Sequence, residues 1–256
     1  MQILYCLLTI LVAGIIGYLC GSIPNSVIIG KVFFHKDPRL EGSKNPGGTN
    51  TGRVLGIIPG IIVIILDTLK IMIPLLVSYY LFTSLDFFKD ILFYSDEFNA
   101  FGRGNTISQL AYWIVPLFGV LGHCYSIFIN FKGGKAVSSF LGFCLSSSWL
   151  SIFIFPLSFF STIKINKHVS MASLISTAIF AIISWIIYII YVCCGPEIAN
   201  YLMYFGYGPE VCIYYPLFLS FAFVIVLFRH RSNIKDLYSG KERIAFWLKD
   251  DNEKHS

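Results

Sequence analysis

The chain alternates between long apolar runs and short polar segments. Seven runs are candidates for transmembrane helices: residues 3–20, 54–82, 108–128, 136–148, 149–163, 169–194 and 211–228. A spanning helix needs about 20 mostly apolar residues. The block 136–163 is too long for one upright helix, and its "SSSW" at 146–149 predicts a tight turn that divides it. We therefore predict an all-α, polytopic transmembrane helical bundle of about seven spans, with a five-span bundle as the alternative.

The stretch 23–34 is also apolar, but "GSIP" at 21–24 separates it from the first run. A half-helix at the membrane interface is expected there. No Lys or Arg precedes Lys31, whereas a secretory signal needs a positively charged start. The first run is therefore expected to be a retained span. With no internal repeat and no low-complexity linker, residues 1–256 are expected to form one domain.

Composition narrows the class of protein. Hydrophobic residues make up 56% of the chain and charged residues only 13%, whereas about a quarter is usual for soluble domains. The net charge of +5 comes from basic residues in the short segments between apolar runs. Membrane topology accounts for that pattern, so the expected partner is a lipid bilayer and not nucleic acid.

The basic residues also predict which side each segment faces. Most of the 19 Lys and Arg residues lie in segments 31–53, 132–135, 164–167 and from 229 onward. The intervening loops, 83–107 and 195–210, hold only Lys89 and Arg103. Because cytoplasmic loops are enriched in Lys and Arg, we predict an outside N-terminus and a cytoplasmic C-terminus.

Two glycine-rich segments on the predicted cytoplasmic side have features of phosphate sites. "GSKNPGGTN" at 42–50 is rich in short polar side chains, and Arg53 follows it. "KGGK" at 132–135 places two ammonium groups around two glycines, before a helix predicted to begin at Val137. Glycine allows backbone N–H groups close to a ligand, and helix N-termini favour phosphate. Neither segment is a Walker loop.

The other polar residues suggest no obvious nucleophile or base. Asp67 and Lys70 are spaced to pair on one helix face, and such an intramembrane pair is either functional or structural. His123 and His230 have no acid at a recognisable spacing, and no GxSxG is present. The seven cysteines show no metal-binding spacing, so neither a metal nor a cofactor is expected.

These segments together resemble a family of bacterial membrane enzymes, the acyl-phosphate:glycerol-3-phosphate acyltransferases called PlsY. "GSIPNSVIIGKVF", "GSKNPGGTNTGRVLG", "LDTLK", "GHCYSIFINFKGGKAVSSFLG" and "RHRSNIKDLYSGKE" resemble the family's motifs in order along the whole chain. Lys44 and Ala136 stand where the family usually has glycine, and Ser232 where it often has glutamate. The loop 83–107 is longer than is usual for the family.

The resemblance implies transfer of a fatty acyl group from acyl phosphate to the 1-hydroxyl of glycerol 3-phosphate. The products would be lysophosphatidic acid and inorganic phosphate, the first acylation in phospholipid synthesis. The expected location is the bacterial inner membrane, with the active site facing the cytoplasm and with functional coupling to the enzyme that forms acyl phosphate. A transporter of a phosphorylated solute and an acyltransferase that uses acyl-CoA or acyl carrier protein remain alternatives.

The resemblance also implies the site residues. Five are expected to be catalytic: Ser43, Arg53, Lys135, His230 and Asn233. Ten are expected to bind substrate: Ser22, Asn45, Gly47, Thr49, Asn50, His123, Lys132, Gly133, Gly134 and Glu242. In this scheme Arg53 and Lys135 contact phosphate, and the glycines at 47, 133 and 134 present backbone N–H groups. No residue is a clear general base, so the phosphate of the donor is expected to take the hydroxyl proton.

Overall fold

The computed structural model describes residues 2–92, 98–99, 102–103, 106–204 and 207–248. Twelve α-helices lie in these ranges: α1 (Gln2–Ser22), α2 (Asn25–Phe34), α3 (Gly48–Leu55), α4 (Ile57–Ser84), α5 (Asp86–Leu92), α6 (Thr106–Cys124), α7 (Val137–Ser147), α8 (Ser151–Asn166), α9 (Val169–Cys194), α10 (Pro196–Tyr204), α11 (Tyr214–Arg229) and α12 (Arg231–Tyr238). Two short 3-10 helices span Ile127–Ile129 and Phe246–Leu248. Strands β1 (Phe98–Asn99) and β2 (Gly102–Arg103) form a small antiparallel pair. The predicted all-α bundle is confirmed.

Helix boundaries follow local sequence. Pro24 separates α1 from α2, because a proline supplies no backbone N–H to continue the ladder. Gly56 has φ of 103° between α3 and α4, a conformation that glycine adopts without steric cost. The turn predicted at 146–149 is present: α7 ends at Ser147, and the Ser148 hydroxyl donates to the Leu202 carbonyl.

Helices α1 and α6 pack very closely. A Cβ atom on Gly17 would lie 2.3 Å from the Val115 carbonyl oxygen, and one on Gly21 would lie 2.0 Å from that of Gly119. Small residues let membrane helices approach in this way. The buried core beside this pair contains large aromatic side chains, with the Trp113 ring centroid 5.2 Å from that of Tyr215. The tight α1–α6 pair is thus a fixed support for the polar end of α6.

Four helical stretches are long and apolar enough to cross a membrane, or five if the bent pair α11–α12 is one span. This test uses length and composition alone and covers the described residues. The predicted run 23–34 forms the separate helix α2, but it joins α1 in one apolar stretch, Ile3–Phe34. Helices α7 and α8 are shorter than the usual span. The number seven, the sidedness and the interfacial position of α2 therefore stay predictions.

Polar segments gather at two opposite ends of the bundle. At one end, residues from 43–53, 132–138 and 228–243 line a common cleft, and the Ala245 amide donates to the Lys167 carbonyl. At the other end, the Trp149 amide donates to the Met203 carbonyl. Three of the segments predicted to share the cytoplasmic side, 39–53, 122–136 and 229–243, thus share one end. Lys249, Lys254 and parts of loop 83–107 lie outside the described residues.

Candidate active site

The polar end contains a large cleft of about 1040 Å³. Its polar lining comes from residues around α3, the start of α7 and the bend between α11 and α12. Its apolar wall includes Ile64, Leu141, Phe155, Phe159 and Phe160. A cation-rich chamber next to an apolar wall suits a ligand with an anionic head and a fatty tail.

A chain of polar contacts holds Lys135 in the cleft. Its ammonium group donates to the amide oxygen of Asn233. The Asn233 amide nitrogen donates to both carboxylate oxygens of Glu242, at 2.8 and 3.0 Å. The hydroxyl of Ser170 on α9 also donates to Glu242. Glu242 therefore supports Asn233 and Lys135, and its two oxygens already have donors within the protein.

Burial lowers the pKa of Lys135, and the nearby cations Arg229 and Arg53 act in the same direction, whereas Glu242 opposes them. Arg53 on α3 also lines the cleft. Burial lowers the pKa of Arg53, and Arg243 adds to this effect. An arginine side chain nevertheless stays protonated in proteins. The cleft therefore concentrates positive charge that a phosphate group would neutralise.

His230 lies at the bend between α11 and α12 and is 2% exposed. Its Nδ1 lies 2.8 Å from the Val226 carbonyl oxygen. Because a carbonyl only accepts hydrogen bonds, this contact places the proton of the neutral ring on Nδ1 and leaves Nε2 as an acceptor. Burial and the Lys135 charge lower the pKa of His230 to about 4. His230 is thus suited to accept a hydrogen bond from a hydroxyl group and is a weak base.

The first glycine-rich segment lies along the cleft, but one of its polar residues has an internal role. The Asn50 amide oxygen accepts from the Ser43 backbone N–H at 2.6 Å, and its nitrogen donates to the Pro38 carbonyl at 2.6 Å. Asn50, which was expected to bind substrate, therefore folds the preceding loop. Asn50 itself also lines the cleft, together with Ser43, Asn45, Gly47 and Thr49.

The second glycine-rich segment differs from its predicted role. The Gly133 and Gly134 N–H groups donate to the carbonyls of Cys124 and His123, at 3.1 and 3.0 Å. They are therefore not free to bind a ligand, and the prediction that they present N–H groups is wrong. The Gly47 N–H likewise donates to the Asn45 carbonyl at 2.9 Å. Lys132 and Gly133 line the cleft, whereas Gly134 lies outside its lining.

Asp67 and Lys70 form the predicted ion pair, with 2.8 Å between Nζ and Oδ1. The Asn25 amide also donates to Asp67, and Lys70 donates to the Ile23 carbonyl. The fold brings His123 close as well, with its Nδ1 3.8 Å from Asp67 Oδ1. Sequence spacing gave no sign of this acid near a histidine. The distance exceeds that of a hydrogen bond, and Asp67 already accepts from two stronger donors.

The predicted site and the observed site differ at two further residues. Ser22, expected to bind substrate, is buried against Gly122 where α1 meets α6 and lies outside the cleft lining. Ser170 was not predicted, because a serine within the apolar run of α9 resembles any other helix-packing residue. Its link to Glu242, 72 positions away, exists only in the folded chain.

The helical bundle and its cation-lined cleft define the class: an integral membrane protein with a cationic cleft next to an apolar wall. Comparison with known proteins gives the family. The profile of the family described as glycerol-3-phosphate acyltransferase matches residues 11–240, so this chain belongs to that family. A glycerol-3-phosphate acyltransferase of Staphylococcus haemolyticus is 34% identical over 244 residues, covering 93% of this chain and 99% of that protein.

Other relatives agree. A glycerol-3-phosphate acyltransferase of Mycoplasma mycoides subsp. mycoides SC is 40% identical over 182 residues, 71% of this chain. That match spans 64% of the relative's length. The crystal structure of PlsY (YgiH), an integral membrane glycerol 3-phosphate acyltransferase, in its glycerol 3-phosphate form, matches with a TM-score of 0.66 and 27% identity. It covers 92% of this chain and 94% of that one. A lysophosphatidic acid form of PlsY matches with a TM-score of 0.64.

Proposed function

We propose that this chain transfers a fatty acyl group from an acyl phosphate to the 1-hydroxyl of sn-glycerol 3-phosphate. Lysophosphatidic acid and inorganic phosphate are the products. The observation that carries this proposal is the cleft, which combines Arg53, Lys135 and Lys132 with an apolar wall. One chamber can therefore hold two phosphate groups and a fatty tail. The names of the relatives and of the PlsY structures support glycerol 3-phosphate as the acceptor.

Positioning and charge stabilisation supply most of the catalysis. An acyl phosphate is a mixed anhydride, so phosphate leaves readily once the carbonyl carbon is attacked. Arg53 and Lys135 bind phosphate oxygens by charge-assisted hydrogen bonds. Ser43 and Asn233 orient substrate oxygens, and His230 Nε2 accepts from the glycerol hydroxyl. Holding both reactants in line lowers the barrier by several kcal/mol, on the order of the effects measured for intramolecular reactions.

The hydroxyl proton goes to the departing phosphate. The glycerol oxygen forms a bond to the carbonyl carbon, the bond from that carbon to the phosphate oxygen breaks, and the released phosphate carries the proton. His230 is a poor alternative as the base because its pKa is about 4, and an efficient base has a pKa near the working pH. The reaction therefore needs no proton acceptor other than the departing phosphate.

The test is acyl transfer to labelled glycerol 3-phosphate by the purified protein in detergent, with palmitoyl phosphate or palmitoyl-CoA as the donor. Lysophosphatidic acid formed only from palmitoyl phosphate supports the proposal. Product formed only from palmitoyl-CoA contradicts it, and His123 and Asp67 would then be the residues to test. No product from either donor, in a folded preparation, also contradicts it, and liposome uptake of glycerol 3-phosphate would then test transport.

The proposed location is the bacterial inner membrane, with the cleft open to the cytoplasm. The shared end of the basic segments and the positive-inside rule support this orientation. In a Cys193→Ser, Cys194→Ser background, which removes the exposed native thiols, a cysteine placed at exposed Lys164 should react with an impermeant thiol reagent only when the reagent reaches the cytoplasmic side. Because acyl phosphates have a reactive anhydride bond, we also propose coupling to the enzyme that forms them.

A further inference from the structure

We infer that Arg229 is a positioning residue that sets the place of the Lys135 ammonium group by clamping the Gly133–Gly134 segment. The inference rests on the proposed function, since it assigns Lys135 to substrate phosphate. The Arg229 guanidinium donates from Nε to the Gly134 carbonyl at 3.0 Å and from Nη2 to the Gly133 carbonyl at 2.8 Å. Two parallel hydrogen bonds from one planar group fix both the distance and the orientation of the backbone that they hold.

The opposite edge of the same segment is also fixed. The N–H groups of Gly133 and Gly134 donate to the carbonyls at the end of α6. All four backbone polar groups of the two glycines are therefore used within the protein. A Cβ atom on Gly133 would lie 2.0 Å from the His123 carbonyl oxygen, and one on Gly134 would lie 2.2 Å from His123 Nε2. The glycines serve close packing, and the segment is a rigid arm that ends at Lys135.

Arg229 is itself held in place. Its guanidinium carbon lies 5.3 Å from the centre of the Tyr125 ring, within the range of a cation–π interaction. The Tyr125 carbonyl accepts a hydrogen bond of 2.6 Å from the hydroxyl of Tyr18, and this bond links Tyr125 to α1. The clamp therefore connects the α1–α6 pair, the glycine segment and the end of α11. Lysine cannot replace arginine here, because an ammonium group lacks the planar pair of donors.

The test is a double-mutant cycle on Arg229→Lys and Lys135→Ala, with kcat/KM for glycerol 3-phosphate as the readout. Arg229→Lys alone should lower kcat/KM by up to about 100-fold, the scale of an ångström-sized misplacement. In the Lys135→Ala background it should cause no further loss, because there is no ammonium group left to position. An equal loss in both backgrounds would overturn the inference, as would an Arg229→Lys protein with wild-type kinetics.

A matched control is Arg39→Lys. Arg39 also makes a paired contact, from Nε and Nη2 to Asp37 at 3.0 and 2.7 Å, but it lies outside the cleft lining. This variant should keep wild-type kcat/KM. If Arg229→Lys does not fold, Tyr125→Leu is the replacement. It should lower activity by about two- to fivefold, the scale of one exposed cation–π contact, and only when Lys135 is present, whereas Tyr125→Phe should be silent.

A second readout needs no acyl donor. Glycerol 3-phosphate should raise the melting temperature of the wild-type protein. The shift should shrink in Arg229→Lys and in Lys135→Ala, and should not shrink further in the double variant. This pattern without acyl transfer from palmitoyl phosphate would contradict the proposed function and leave the positioning role standing. Acyl transfer with independent effects of the two residues would contradict only the positioning role.

Discussion

The two glycine-rich segments of the polar end look alike in sequence but differ at one glycine, Gly47, which has space that the others lack. In residues 132–135 the glycines have no space for a side chain, and their N–H and carbonyl groups are all bound within the protein. In residues 42–50, Gly42 and Gly48 also lack space, because a Cβ atom there would lie 2.4 Å from the Asn50 amide oxygen and 2.3 Å from the Ile64 side chain, respectively. A Cβ atom on Gly47, however, would meet only the Asn45 amide, at 3.1 Å. Helix α3 begins at Gly48, and its first turn has backbone N–H groups without intrahelical partners, as at the start of any helix.

Glycine beside lysine therefore does not by itself mark a backbone anion site. In the first segment the cleft-facing groups are short polar side chains and a helix N-terminus. In the second, the functional group is the charge of Lys135, and the glycines make the close packing behind it possible. Substitutions in the two segments should therefore have different consequences, and these differences can be measured.

The largest expected effect is that of Lys135→Ala. Removing the ammonium group takes away a charge-assisted contact to phosphate, and the loss of kcat should be about 10²–10³-fold, the scale of losing one pre-positioned donor. The measurement is acyl transfer from palmitoyl phosphate. Lys164→Ala is the control, because Lys164 is exposed and outside the cleft lining. Equal activity in the two variants would remove Lys135 from the site.

The next largest effect separates the two segments directly. Gly133→Ala should lower activity by more than about tenfold through displacement of Lys135, because its Cβ atom would lie 2.0 Å from a backbone oxygen. Gly47→Ala should stay within about threefold of wild type, since the backbone there is extended and any residue adopts that conformation. The measurements are kcat/KM and melting temperature. Similar losses at both positions would erase the distinction.

His230→Gln should reduce kcat by about tenfold, as expected for one lost hydrogen bond, whereas loss of a general base would cost about 10²–10⁴-fold. The pH profile gives an independent check. The pKa of His230 is about 4, below the free value of about 6.5, so the folded protein keeps this ring neutral at pH 6.5. Any inflection near that pH should come from the substrate phosphate, whose second pKa is about 6, and should remain in His230→Gln. An inflection that vanishes in His230→Gln would contradict the assignment.

The same pKa shift also gives a stability prediction with a definite sign. Between pH 6.5 and 4 the unfolded chain binds a proton on His230 that the folded protein does not bind, so stability falls as the pH falls through this window.

The pKa of Lys135 is also lowered. Activity should therefore decline on the alkaline side before a free lysine would lose its proton, and Lys135→Arg should move that decline to higher pH.

The smallest expected effect concerns two backbone positions. Lys44 has φ of 57° and Ala136 has φ of 63°, and the family resemblance predicts glycine at both positions. Residues with a side chain are strained in this region by about 1–2 kcal/mol. Ala136→Gly should raise the melting temperature slightly and leave kcat/KM within about twofold, because glycine relieves the strain but also gives the unfolded chain more freedom. A marked fall in melting temperature would contradict this account.

Features carried by continuous sequence were predicted well. Apolar run length gave the helices, "SSSW" gave the turn before α8, and the spacing of Asp67 and Lys70 gave their ion pair. The start of α7 at Val137 also follows from the apolar run after residues 132–135. Each of these depends on interactions between near neighbours in the chain.

Contacts between distant segments were not predictable in this way. Arg229 meets the glycine carbonyls 95 and 96 positions away, and Ser170 meets Glu242 across 72 positions. Asn50 was predicted to bind substrate, and it lines the cleft, but its amide also bonds the loop around Pro38. Polar residues near a site either bind the ligand or support the residues that do, and sequence spacing alone does not separate these two roles.

The most direct test of the central claim is simultaneous measurement of lysophosphatidic acid and inorganic phosphate, formed from palmitoyl phosphate and glycerol 3-phosphate by wild-type and Lys135→Ala protein. The account predicts one phosphate for each lysophosphatidic acid in the wild type, with both products lost together in the variant. Phosphate released without acylated product, or acyl transfer that survives in Lys135→Ala, would contradict it.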